Sequence, residues 1–116
     1  MTDLASLLRQ RVQLVDDFVQ RQAAAQAKID DVRTKSVSQV NGIDDAMQTL
    51  AQGWRGPAAI RAQSSASSAL AGLRYTASRI AEQLEDDRAS DADSHRKQLA
   101  ALDEQIAAAR ASQVTL

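Results

Sequence analysis

The 116-residue sequence predicts an all-α fold, two long antiparallel helices forming a helical hairpin. Three observations carry that prediction. Apolar residues recur at helical spacing over long stretches of both halves. The only Pro, the only Trp and two of the four glycines fall together near the midpoint, in Gly53-Trp54-Arg55-Gly56-Pro57. Aromatics are only 3% of the chain although 44% is hydrophobic, so alanine supplies much of the apolar share and leaves little bulk for a globular core. Two such helices bury an apolar stripe poorly alone, and pairing with a second hairpin into a four-helix bundle is expected. One helical-hairpin domain, residues 1–116, accounts for the whole sequence.

The first helix is expected over about residues 3–52. Leu8, Val15, Ile29, Ile43 and Leu50 occupy one position of a seven-residue cycle, and Leu4, Phe18, Ala25, Val32 and Ala46 its partner position. Val12, Val19, Val40, Met47 and Trp54 sit one step further round and widen the stripe, as suits a helix that faces two neighbours in a bundle. Arg11, Gln22, Ser36 and Gln39 interrupt it at seam positions, where polar residues cost stability while fixing register. Val15-Asp16-Asp17, Ile29-Asp30-Asp31 and Ile43-Asp44-Asp45 recur every two heptads and put the acidic pairs on an outward face. Gly42 marks a local kink or a close crossing.

The turn is expected at 53–57. Glycine costs about 1 kcal/mol inside a helix and proline about 3, except in the first turn, where the missing N–H of proline is harmless. The second helix then runs over about 58–111, with Leu70, Leu73, Ala77, Ile80 and Leu84 continuing the stripe. Its opening is rich in small residues, with serines at 64, 65, 67 and 68 that permit close backbone approach. From Glu85 to Gln98 the stripe almost disappears, and bending or fraying is expected there. Leu99, Leu102, Ile106 and Ala109 restore the period, and residues 111–116 are expected to be loose.

Little in the sequence is suited to catalysis. His95 is the only histidine and there is no cysteine, which excludes paired-His metal motifs, thiolate ligands and a Cys nucleophile. The serines at 64–68 lack the strand-turn-helix elbow of a hydrolase and read as helix-surface or tightly packed residues. Asp91, Asp93 and His95 could gather a cation only if the helix unwound, because Asp93 points away from the other two on a helix. No phosphate-binding glycine pattern is present. No catalytic residue, metal or cofactor is expected.

A net charge of −1 gives no field for nucleic acid. The basic residues Arg21, Lys28, Arg33 and Lys35 are interleaved with acids, which argues against nucleic acid and against an anionic membrane surface. Met1-Thr2-Asp3 leads directly into an amphipathic helix without a basic n-region and an apolar h-region, so no signal peptide and no membrane span are expected. Trp54 admits two readings: it caps the end of the hairpin's stripe, or it stays partly exposed as an anchor for a partner protein.

Helix, Trp54-Arg55-Gly56, helix, in a chain of this length, resembles the WXG (ESAT-like) proteins of type VII, or ESX, secretion systems. Gln52-Gly53-Trp54-Arg55-Gly56-Pro57-Ala58-Ala59, with the Ala/Ser/Gln-rich start of the second helix, looks like the turn of the CFP-like members. The resemblance covers most of the chain as architecture and about eight residues as motif. It implies dimerisation with itself or another WXG-type hairpin, and a role as secretion substrate, co-substrate or targeting and chaperone partner of a larger type VII substrate. It also implies recognition by the secretion ATPase or a co-secreted partner at the turn residues, Gly53, Trp54, Arg55, Gly56 and Pro57, with Trp54 and Gly56 carrying the match. The chain would be cytoplasmic before export by a signal-peptide-independent route. Many such substrates carry Tyr-x-x-x-Asp/Glu beyond the second helix, whereas Tyr75 lies inside that helix and is followed four residues on by Arg79. The partner is then expected to carry the export signal. The competing expectation is a cytoplasmic coiled-coil scaffold or adaptor in which the turn merely reverses the chain.

Overall fold

A computed structural model describes residues 3–114. Within them the chain forms two helices, α1 (Leu4–Gly53) and α2 (Pro57–Val114), with no strand. The bounds fall within a residue of those read from the turn chemistry. At its far end α2 continues in helix through Ala111 to Val114, beyond the expected stop near 111. Met1, Thr2, Thr115 and Leu116, part of the expected lead-in and loose end, lie outside the described residues.

The helices are continuous where the sequence left interruptions open. Gly42 sits inside unbroken α1, and a Cβ there would meet nothing within 4 Å, so it marks neither a break nor a close crossing. The polar interval 85–98 is helical throughout, so the expected fraying is absent there. Half of its residues, Glu85, Arg88, Ala89, Ala92, Arg96, Lys97 and Gln98, are strong helix formers although they lack apolar periodicity. Lys97 and Arg96 also pair with Asp93 along the same helix, at 3.1 and 3.0 Å.

The hairpin divides into two compact units. One joins α1 up to Gln26 with α2 from Asp86; the other runs from Ala27 through the turn to Glu85. In the first, Leu7, Leu102 and Ile106 form a buried cluster, with Leu4, Leu14 and Ala109 packed around it. Arg11 pairs with Asp103 at 2.8 Å and Arg21 with Asp91 at 3.2 Å, descending α2 as α1 ascends, which is the signature of antiparallel pairing. In the second unit Ile29, Val40, Ala59, Leu70 and Ala81 are buried. Arg33 pairs there with Glu85.

The buried positions follow a period other than the one expected. Leu7, Ile29 and Val40 are buried and Phe18 half-buried, each eleven residues apart; Ala59, Leu70 and Ala81 repeat the interval, as do His95 and Ile106. Eleven residues in three turns is about 3.67 per turn, close to a straight helix, whereas a sustained heptad demands 3.5 and a left-handed supercoil. The heptad positions therefore drift off the seam. At the start of α1 the buried residue is Leu7, at 2% exposure, and Leu8 stands at 37%. Further along, Val40 and Met47 replace Gln39 and Ala46, and on α2 Ala81 replaces Ile80. Of the expected stripe, Ile29 and Leu70 are buried and Val15, Phe18, Val32, Leu73 and Leu84 half-buried, while Leu8, Ile43, Leu50 and Ile80 lie on the exposed surface of the single chain.

Candidate functional site

The turn is built by local chemistry. The last backbone bond of α1 runs from Trp54 N–H to the Leu50 carbonyl at 2.9 Å. Gly56 then takes φ of 110°, a left-handed conformation that costs a side-chain-bearing residue about 1–2 kcal/mol. Its carbonyl accepts the first bond of α2, from Ile60 N–H at 3.1 Å, which makes Gly56 the N-cap and Pro57 the first helical residue. Gly53 remains inside α1 and Pro57 opens α2, so of residues 53–57 it is Trp54, Arg55 and Gly56 that lie outside helix.

Trp54 is 42% exposed, so its indole is only partly covered by the hairpin it closes. Leu50 and Ile60, on either side of the turn, are exposed as well. Large apolar groups gathered at a turn are suited to being buried by a partner, since tryptophan supplies much contact area at low entropic cost. Arg55 is exposed and belongs to no ion pair among the described residues.

A second feature of note is polar and lies in the first unit. Gln22 donates through Nε2 to the Arg88 carbonyl at 3.1 Å and accepts from Arg88 Nε at 2.6 Å. Arg88 also donates to Gln26, and Gln22 Nε2 reaches Asp91 at 3.4 Å. The hydrogen bond from Arg21 holds the Asp91 carboxyl below its ordinary value, with Gln22 adding to the effect. One turn on, the His95 ring stacks on Phe18, centroids 3.9 Å apart and planes 5° from parallel, and its Nδ1 is buried without a hydrogen-bond partner.

His95 is thus a seam residue, although it lies in the polar interval where the apolar stripe almost disappears. Its isolation within a polar run of α2 hid this; folding the chain about Trp54–Gly56 brings position 95 within about a turn of Phe18 and would have indicated it. Asp93 points to Arg96 and Lys97, as its spacing from Asp91 requires. Among the described residues no three His, Cys, Asp or Glu side chains gather as metal ligands would. The acidic pairs serve α1 itself: Asp31 binds Lys35 at 3.0 Å, Asp17 accepts from Gln13 at 2.8 Å and Asp44 from Gln48 at 3.4 Å. Ser64, Ser65, Ser67 and Ser68 are exposed on α2.

No described helix is long and apolar enough to cross a membrane. Compared with known proteins, the chain matches no family model, no curated protein and no solved structure.

Proposed function

We propose that this chain is a non-enzymatic WXG-type helical hairpin that works by pairing with a second hairpin, as a type VII secretion substrate, co-substrate or targeting partner. The observation that carries the reading is Trp54, partly exposed at a turn capped by left-handed Gly56 and opened by Pro57. A tryptophan needed only to close the stripe would be covered by it.

Tyr75 is exposed on α2, and Arg79, four residues on, is paired with Glu82 at 3.9 Å. A tyrosine-acid export signal is therefore not formed at Tyr75. Trp54→Ala tests the reading. Export of the pair, or capture of the partner hairpin, should fall about tenfold or more while the thermal midpoint of the isolated chain moves by only a few degrees. Equal losses of stability and recognition would reduce Trp54 to a cap.

A further inference from the structure

The eleven-residue seam frees a second face on α1, and that face has a symmetry of its own. Leu8, Val12, Val15 and Val19 lie at spacings of four, three and four, so they form one stripe on a helix. Val12 is 61% and Val19 59% exposed, Leu8 is exposed, and only Val15 is half-buried, so the intrachain partner leaves most of the stripe uncovered. The spacing reads the same in both directions. A two-fold axis between Gln13 and Leu14 would therefore set Leu8 against Val19 of a second copy and Val12 against its Val15, and an isologous contact has to be self-complementary in this way.

Charge follows the same symmetry. Arg9 and Asp16 flank the stripe on one side, both exposed, and neither belongs to an ion pair among the described residues. The same axis places Arg9 of one copy opposite position 18 of the other, two residues, or about 3 Å along the helix, from Asp16. Each interface would then carry the Arg9–Asp16 pair twice, while the two Arg9 side chains stand about 13 Å apart along the axis.

We infer that Leu8, Val12, Val15 and Val19 form a homotypic interface, through which α1 packs antiparallel against α1 of a second copy of this chain. The inference rests on the pairing part of the function proposed above and names the partner at this face. It commits to a second copy because the apolar spacing and the unpaired charges are both self-complementary; a different hairpin would need neither property.

Sedimentation velocity of the full chain over a range of concentrations tests it, with far-UV circular dichroism as the control for folding. The wild type should dimerise. Val12→Asp, at a position the single chain leaves exposed, should weaken the dimer at least about tenfold with helicity unchanged. Arg9→Asp and Asp16→Arg should each weaken it, and the double variant should restore affinity to within about threefold of wild type. A wild-type dimer indifferent to Val12→Asp, or a charge swap without rescue, overturns this interface while leaving pairing intact. A wild-type chain that stays monomeric alone but pairs with a different hairpin overturns the homotypic partner and upholds the proposed function; a chain that pairs with neither overturns both.

Discussion

Breaking the Gln22–Arg88 link is the perturbation whose outcome depends most directly on how the seam is held. Arg88→Leu removes the guanidinium bonds to Gln22 at 2.6 Å and to Gln26. Hydrogen bonds to a charged group are worth about 1.5–3 kcal/mol each when buried, but the half-buried site lets water replace part, so a loss of about 2 kcal/mol is expected. Gln22→Leu should cost about 1–2 kcal/mol, because the bonds to the Arg88 carbonyl and side chain go together. With both replaced, two apolar side chains face each other and only the part-exposed Gln26 and Asp91 each lose one donor, so the double variant should lie within about 1 kcal/mol of wild type. The implied coupling of about 2 kcal/mol is well above the few tenths expected of independent sites. Urea unfolding followed by helical circular dichroism, at one fixed protein concentration because association adds stability, measures it. If the two single losses simply add in the double variant, the network is solvated and the apolar cluster alone holds the first unit.

Three further outcomes follow from the geometry. Ile29→Ala, at the most deeply buried large side chain, should cost about 3 kcal/mol in the same assay, whereas Leu50→Ala, at an exposed position, should cost under about 1. Gly56→Ala should destabilise by about 1–2 kcal/mol through backbone strain alone, since a Cβ there meets open space; a neutral result would mean that the turn relaxes to a right-handed conformation. The Asp91 carboxyl titrates below its ordinary 3.8 when folded, so its stabilisation is complete above that value and disappears as pH falls through the folded pKa. Asp91→Asn should accordingly be less stable than wild type at neutral pH and converge on it as pH falls below the ordinary carboxylate range; a gap independent of pH would show that the Arg21 contact does not depend on the charge.

The turn was legible because its chemistry is local: proline permits only the first turn of a helix, and left-handed Gly56 caps that turn from the position before it. The two helices were legible for a related reason, since long periodic stretches without breakers have few alternatives. The register of the seam was not. Over one or two turns a seven-residue and an eleven-residue cycle select nearly the same positions, and they separate only over the length of α1. Alanine hides the difference further, because Ala59 and Ala81 define the seam on α2 without standing out from the many exposed alanines. Conversely, Ile43, Leu50 and Ile80 stand out in the sequence yet fall beside the seam. The polar part was hidden by distance: Gln22 and Arg11 were readable as interruptions, but their partners Arg88 and Asp103 lie in the far half of the other helix.

The mismatch between the two periods leaves part of the apolar pattern of α1 uncovered in the single chain. Residues one step round from the heptad stripe are exposed near the start of the helix, at Val12 and Val19, and covered near its end, at Val40 and Met47. A seam drifting by about 20° per heptad does this without any change in composition. An apolar pattern wide enough for two neighbours therefore serves one neighbour at a time along most of its length. Where the seam has moved away, valine and leucine stay in solvent unless a second chain covers them. Polar residues at those positions would have left the intrachain seam unchanged. The proposed pairing would account for their apolar character, and for a tryptophan left partly bare at the closed end of the hairpin.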